Sequence, residues 1–235
     1  MKRFWQSANV TEQNGHYTIE LDGRPMRLPN GPALRLRQKP LADAIAAEWQ
    51  QAGGAVGGEM DFAAVPLTRL AGTAQDRVAP DSTPTAEALA RYAEADALCY
   101  RAAQPQSLVI RQHHGWQPWL DWAAEAHGAR LLTTNGLLHI PQPPEAVAAL
   151  RGATHALDAF QLAGLAILVP AYGSLVLGLA VAAGRLAASE AHALSVLDEL
   201  YQEQFWGADP DAAARRASVL RDTEDAARFM ALAAA

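Results

Sequence analysis

Two glutamates four residues apart come closest to a catalytic pair in this sequence. Glu199 and Glu203 lie in a segment with helical periodicity, 194–209. On a helix with about 3.6 residues per turn, positions four apart share a face, as a general acid and its partner base require. A solvated helix commonly carries the same spacing without any catalytic role. The pair therefore indicates a hydrolase only if both carboxylates line a closed pocket.

Metal and nucleophile chemistry have weaker support. The seven histidines are scattered, and none stands four residues from another, so the usual pair of imidazole ligands on one helix is missing. The single cysteine, Cys99, excludes an internal disulfide and a cysteine-based zinc site, and it fits a reducing compartment. No nucleophile elbow, Cys/His pair or dinucleotide-binding glycine pattern occurs. We expect no catalytic residue, no metal and no cofactor.

The segment 194–209 has two faces of opposite character. One face is apolar and is predicted to pack inward: Leu194, Leu197, Leu200, Tyr201 and Phe205. The other carries Ser195, Glu199, Gln202, Glu203 and Trp206. An indole beside carboxylates on a polar face is typical of a surface that binds a partner. The alternative is that Trp206 folds back into the core at the helix end, with Gly207 as the C-cap.

The elements that must hold this segment can be predicted from periodicity. Residues 16–21 alternate between apolar and polar side chains and run into Asp22-Gly23, which predicts a strand and a turn. Residues 26–28 return as a second strand, Asn30-Gly31-Pro32 forms another turn, and 33–37 alternate again. Residues 40–51 then have a helical period that places Trp49 on the apolar stripe, so we predict a core position for it.

After Pro66 the patterns are helical. They cover 86–95, 116–127, 145–151, 155–168, 174–183, 189–205 and 210–232. We predict an α+β protein with a small N-terminal β-containing domain (1–80) and a larger all-helical C-terminal domain (81–235). Trp116, Trp119 and Trp122 recur at a spacing typical of core residues. Arg69 lies within the mostly apolar run 65–71, and Asp76 and Arg77 follow it. The three form either an interdomain ion-pair network or a binding edge.

Charge and hydropathy exclude several partners. The net charge of −6 argues against general nucleic-acid binding, which needs a basic face. Residues 1–40 carry net +4, whereas 186–235 carry net −5, which is compatible with an acidic binding surface near the C-terminus. Residues 159–184 are uncharged, but Pro170-Ala171-Tyr172-Gly173 interrupts them, so two buried helices are predicted rather than a membrane span. The start, Met-Lys-Arg-Phe-Trp, lacks an apolar signal region. We therefore expect a cytoplasmic protein, or a sequence that is already mature.

Several ordered motifs together resemble a known family. They are Lys2-Arg3-Phe4-Trp5, Leu21-Asp22-Gly23-Arg24-Pro25, Ala46-Ala47-Glu48-Trp49, Pro66-Leu67-Thr68-Arg69-Leu70-Ala71 with Asp76-Arg77, Leu98-Cys99-Tyr100-Arg101-Ala102, and Leu197-Asp198-Glu199 with Gln202 and Trp206-Gly207. Their order is similar to that in the ATP synthase assembly chaperones that bind the alpha subunit of the catalytic head. The match covers nearly the whole chain.

The resemblance implies a non-enzymatic chaperone, a monomer when free, whose partner is the unassembled alpha subunit. It implies partner-binding positions at Asp198, Glu199, Gln202, Glu203 and Trp206. It implies family-motif positions at Phe4, Trp5, Trp49, Arg69, Asp76 and Arg77. After Trp206-Gly207 the chain is less acidic than the family pattern, which weakens a purely electrostatic docking scheme. A non-catalytic scaffold, or a small-molecule site in the helices around Pro170, remains the alternative.

Overall fold

An Asn-Gly turn builds the first element of the fold. Asn14 and Gly15 have φ values of 52° and 73°, as a two-residue hairpin turn requires. They join β1 (Ala8–Gln13) to β2 (His16–Leu21), which pair antiparallel from Ala8↔Leu21 to Gln13↔His16. The strand predicted at 16–21 is therefore confirmed, and β1 was missed although its turn signal stands in the sequence.

The return strand is shorter than predicted. In this computed structural model, which describes residues 1–28, 31–136 and 138–235, β3 is Arg24–Pro25 rather than 26–28. Beyond β3, Arg27 and Ala33 form an isolated bridge, and Leu36 bridges to Tyr17. Asn30, in the predicted turn, lies outside the described residues. The three strands form one sheet in the order β1-β2-β3.

Helices make up most of the chain after the sheet, so the predicted α+β class is confirmed. They are α1 (Lys39–Gln51), α2 (Pro66–Thr73), α3 (Thr83–Ala90), α4 (Gln106–His127), α5 (Pro144–His155), α6 (Ala159–Tyr172), α7 (Leu175–Ala182), α8 (Ala188–Ser195), α9 (Leu197–Trp206) and α10 (Pro210–Ala234). Helix α2 continues into a π-helical turn, Ala74–Val78. Two short parallel strands, β4 (Tyr100–Arg101) and β5 (Thr134–Asn135), interrupt the helical part.

The segment predicted as one helix over 189–205 is two helices. Val196 has φ −105° and ψ 18°, outside the helical range, and separates α8 from α9. The apolar stripe predicted across 194–205 therefore does not continue along a single axis. This break decides which side chains of α9 face solvent.

The uncharged stretch 159–184 forms α6 and α7 in the core. Gly173, with φ 63°, ends α6, and the Ser174 hydroxyl then accepts a hydrogen bond from the Leu177 amide at 3.1 Å to begin α7. A Cβ at Gly178 would approach Val169 Cγ2 to 2.7 Å, so the two helices pack closely. Among the described residues, no helix combines the length and the hydropathy that crossing a bilayer requires.

The hydrophobic core is continuous along the chain. It includes Trp5 and Trp49 near the start, Leu165 in α6 and Phe229 in α10. Helix α2 packs against α6 and α10, and α1 also contacts α10. The sheet and its helix α1 are thus attached to the helical part through side chains on both sides of residue 80. The division at 80 and 81 into two domains stays a prediction.

Candidate functional site

The C-terminal end of α9 projects into solvent. Trp206 is 88% exposed and Phe205 is 66% exposed, and Leu200 is also exposed. Helix α9 ends there because Gly207 takes a positive φ of 84°. The alternative in which Trp206 returns to the core is therefore wrong.

The inward positions predicted for Phe205 and Leu200 are also wrong. The cause is the break at Val196, after which α9 contacts α4 through other residues. Tyr201 is buried as predicted, and Leu194 and Leu197 are half-buried.

Glu199 and Glu203 face one guanidinium. Arg216 of α10 donates from Nη1 to Glu199 Oε2 at 3.1 Å, and from Nη2 to Glu203 Oε1. The hydrogen bond to Glu203 raises the pKa of Arg216 above its ordinary value, with a smaller contribution from the bond to Glu199. The Glu199 side chain is 58% exposed. The exposed Glu199 and the half-buried Glu203 therefore share one guanidinium, and they do not form an acid and base enclosed in a pocket.

Asp198 points the other way. Its carboxylate oxygens accept hydrogen bonds from Gln112 Nε2 of α4 at 2.8 and 3.1 Å. Gln112 is itself buried, and its Oε1 accepts the Ala102 amide at 2.7 Å. A charged acceptor makes the Asp198 bond one of the stronger kinds of hydrogen bond. Of the predicted partner-binding residues, Asp198 thus faces α4, whereas Gln202 and Trp206 are exposed.

Further contacts fix α9 and the end of α8 on α4. The hydroxyls of Ser107 and Tyr201 lie 2.6 Å apart, and Trp116 Nε1 donates to the Leu194 carbonyl oxygen at 2.9 Å. A Cβ at Gly115 would lie 2.9 Å from Leu194 Cδ2, so this glycine permits the close approach. Trp116 is buried as its spacing predicted, whereas Trp119 and Trp122 are half-buried.

Two neighbouring indoles anchor the N-terminal motif. Trp5 is fully buried, and its Nε1 donates to the Trp49 carbonyl oxygen at 2.9 Å. Trp49 Nε1 in turn donates to Thr68 Oγ1 at 2.9 Å. The ring centroids of Trp5 and Trp49 are 5.0 Å apart. The core position predicted for Trp49 is confirmed. Phe4 is exposed and contacts the Trp5 ring edge-on at 5.1 Å.

Arg3 has a role that its sequence position did not reveal. Its buried guanidinium donates to the carbonyl oxygens of Trp5, Gln50 and Ala52, at 3.0, 2.8 and 3.3 Å. It thereby satisfies the acceptors at the C-terminal end of α1.

Glu48 also had no role predicted from the sequence. It binds backbone donors at the start of α2, whereas Arg3 binds backbone acceptors at the end of α1. Its carboxylate accepts the amides of Leu67 and Thr68 at 2.8 and 3.1 Å. Burial raises the pKa of Glu48, and these two hydrogen bonds oppose the rise. The motif residues themselves are visible in the sequence, but the amides that Glu48 binds lie 19 and 20 residues away.

Arg69, Asp76 and Arg77 line one cleft of about 270 Å³. Leu28 and Phe62 also line it. Within the described part of the chain, no salt bridge joins these three residues to one another or to α6 or α10. Their placement favours the binding-edge interpretation over an interdomain ion-pair network.

Asp96 is a fully buried carboxylate that was not singled out from the sequence. Its Oδ2 accepts the Val176 amide at 3.0 Å at the start of α7, and its Oδ1 accepts the Leu98 amide at 3.1 Å. Burial raises its pKa to about 6. The bond to Leu98 is local and could be predicted from the sequence, whereas Val176 lies 80 residues away. The described residues contain no group of His, Cys, Asp and Glu side chains that could hold a metal ion.

Known proteins resemble this chain over nearly its full length. The family model described as ATP12 chaperone protein matches residues 2–124. The chain is 25% identical over 223 residues to protein atp12, mitochondrial, of Schizosaccharomyces pombe, covering 90% of this chain and 75% of that protein.

Solved structures share the fold as well. Atp12 of Paracoccus denitrificans is 44% identical with a TM-score of 0.92, covering 99% of this chain and 98% of that one. The Atu1473 protein of Agrobacterium tumefaciens is 37% identical with a TM-score of 0.90, covering 97% and 85%. Sequence identity and fold agree over the same residues. The chain therefore belongs to the ATP12 family of ATP synthase assembly chaperones.

Proposed function

We propose that this chain binds the free alpha subunit of the ATP synthase catalytic head through the exposed face of α9. The main support for this proposal is that Trp206 is 88% exposed and follows the exposed Phe205. Both lie on a helix that Asp198 and Tyr201 attach to α4. Large aromatic side chains such as tryptophan are typical of binding hot spots. The chaperone would cover an apolar interface of the free subunit until a neighbouring subunit displaces it.

The charged and polar side chains near Phe205 and Trp206 suit a contact with the client that must also be released. Glu199 is more than half exposed, and Gln202 is exposed on the same helix, whereas Glu203 is half-buried and pairs with Arg216. Polar groups around an apolar centre improve the rate and specificity of association more than its strength. We therefore assign client contact to Glu199, Gln202 and Trp206, and a supporting role to Asp198 and Glu203.

We infer that the chain acts without catalysis and as a monomer when free. Glu199 and Glu203 share Arg216 on an open surface, which does not suit a hydrolase. The small-molecule alternative also loses support, because α6 and α7 pack against each other around Gly178. The relatives include bacterial and mitochondrial proteins, so we expect this chain to act in the bacterial cytoplasm or the mitochondrial matrix.

Pull-down with separately expressed alpha and beta subunits tests the proposal. We expect the wild-type chain to retain alpha and not beta. Equal retention of both, or no retention of alpha, would contradict the assignment of the client.

Glu199→Lys tests the surface. It reverses an exposed charge and also breaks one arm of the Arg216 pair, which at this exposure is worth at most about 1 kcal/mol. We expect it to lose alpha binding while helical content and Tm stay near wild type. Glu190→Lys, an equal charge change at an exposed position of α8, is the matched control and should bind normally.

A further inference from the structure

A second surface of this molecule, formed by the N-terminal residues, has the opposite charge from α9. Two clefts meet at the Phe62 ring, which lines both. The larger has a volume of about 490 Å³, and apolar side chains form most of its wall: Met1, Phe4, Leu21, Pro25, Met26 and Trp49. The smaller is the cleft of Arg69 and Arg77. We call the two together the N-terminal groove.

The apolar wall of the groove is open to solvent. Phe62 is 43% exposed, and Met1 and Phe4 are more exposed still. Phe62 begins a short 3-10 turn, which Asp61 caps by accepting the Ala63 amide at 3.1 Å. Three large apolar side chains exposed around one cleft are more than isolated surface hydrophobes, and such patches mark binding sites.

The rim of the groove is cationic. Arg24 and Arg27 line the larger cleft, and Arg69 and Arg77 line the smaller, all four exposed. Asp76 is the one acidic residue among the described residues that line the two clefts. In the described ranges no salt bridge occupies these four arginines. The chain as a whole has a net charge of −6, so the positive charge around the groove is a local feature.

We propose that the N-terminal groove binds a segment of the client that carries a carboxylate beside a large apolar side chain. The apolar side chain enters the larger cleft next to Phe62, and the carboxylate pairs with Arg69 and Arg77. Arginine clusters bind carboxylates with directional, charge-assisted hydrogen bonds. This inference rests on the proposed function, since it adds a second contact to the same alpha subunit.

Charge complementarity argues for an acidic occupant, and the open apolar wall argues for a peptide rather than a free anion. A small anion would satisfy the arginines and leave Phe4 and Phe62 in water. When one of two contacts on the same client has formed, the effective concentration of the second binding site is raised. The chaperone then holds the client through two moderate contacts that separate in turn.

Site-specific photo-crosslinking tests the groove directly. p-Benzoylphenylalanine replaces Phe62 in one variant, Gln202 on α9 in a second, and the exposed Leu138 in a third as the control. Each is irradiated with purified alpha subunit. We expect crosslinks from positions 62 and 202 and none from 138, and the peptide captured at position 62 should contain Asp or Glu.

The outcomes separate this inference from the proposed function. Crosslinking at 202 without crosslinking at 62 overturns the groove and leaves the α9 surface intact. A crosslink from 62 to a second copy of the chaperone identifies a self-contact and also overturns the groove as a client site. If alpha is not retained at all, the client assignment fails and this inference fails with it.

Charge reversal supplies an independent measurement. Arg69→Glu with Arg77→Glu should weaken alpha binding about tenfold or more, because two favourable charge pairs become repulsive. Arg91→Glu with Arg130→Glu makes the same change at exposed positions outside the groove and should alter binding by less than about twofold. Circular dichroism and Tm verify that each variant folds. Equal weakening by both pairs would indicate general electrostatics and overturn the site.

Discussion

At the scale of single residues, the tryptophans of this chain differ in role according to whether they are buried or exposed. Trp5 and Trp49 donate hydrogen bonds to backbone and to Thr68 in the core, whereas Trp206 is 88% exposed. A buried indole contributes packing and a satisfied N–H group, and an exposed one contributes neither to folding. Substitution of a buried tryptophan should therefore lower stability, whereas substitution of Trp206 should affect binding and leave stability nearly unchanged.

We expect Trp49→Arg to lower the free energy of unfolding by several kcal/mol, about 3 or more. It removes a packed ring and a hydrogen bond to Thr68, and it buries an unpaired charge. Urea unfolding measured by circular dichroism gives the change. Trp206→Arg is the matched control and should change stability by less than about 0.5 kcal/mol, as exposed substitutions do. Wild-type stability of the Trp49 variant would contradict its core role.

Asp96 should make stability depend on pH in a defined window. Its pKa is 3.8 in the unfolded reference and about 6 when folded, so the folded state binds more protons between these values. The resulting stabilisation is complete below about pH 4 and is lost as pH rises through about 6. A shift of about two pKa units corresponds to about 3 kcal/mol.

Asp96→Asn isolates this contribution. The pKa is also raised at Glu48 and Asp225 and lowered at Asp22 and Glu87, and these shifts are common to both proteins. We therefore expect the difference in unfolding free energy, wild type minus variant, to decrease from about pH 4 to about pH 7. Denaturant titrations at several pH values measure it. Parallel curves for the two proteins would show that Asp96 does not titrate in that range.

At the scale of elements, α9 is attached to α4 by a few side-chain contacts. Asp198 and Tyr201 of α9 each bond to one residue of α4, and the Leu194 carbonyl at the end of α8 bonds to a third. Arg216 connects the other side to α10. A short helix with an exposed apolar end has little packing of its own, so these polar contacts determine its position.

We expect Asp198→Leu to loosen α9 without unfolding the protein. The substitution leaves the buried Gln112 Nε2 without this acceptor, at a cost of about 1 to 3 kcal/mol. Hydrogen exchange of residues 197–206 should accelerate, whereas exchange in α1 stays as in wild type. Gln202→Leu changes an exposed position of the same helix and should leave exchange unchanged. Slow exchange in both variants would indicate that other contacts hold α9.

At the scale of the whole molecule, the two proposed binding surfaces share one continuous core. The N-terminal groove is basic and the α9 surface is acidic, in agreement with the charges of residues 1–40 and 186–235. Helix α2 carries Arg69 in the groove and also packs on α6 and α10. The groove is thus built on an element that belongs to the common core.

We expect a single unfolding transition for the whole chain, because the buried cluster crosses residue 80. With 5-fluorotryptophan incorporated, 19F NMR reports Trp5 and Trp49 separately from Trp116. All three signals should change at the same urea concentration. An earlier transition at Trp5 and Trp49 would instead indicate that residues 1–80 unfold as a separate domain.

The sequence by itself determined the features that depend on neighbours along the chain. Periodicity predicted α1, β2, α7 and the core position of Trp49, because helices and strands repeat over few residues. Family motifs predicted the chaperone family. The Asn14-Gly15 hairpin also has a clear local signal, although β1 was not predicted from it.

Only the tertiary structure decided which surfaces stay open. Whether Trp206 is buried depends on the break at Val196 and on α4, a helix from a distant part of the chain. Three other contacts also join distant segments: the hydrogen bond of Asp198 with Gln112, the buried bond from Val176 to Asp96, and the cleft that Leu28 lines together with Phe62 and Arg69. Local pattern carries no information about such partners, because burial is a property of the packed chain and not of any one segment.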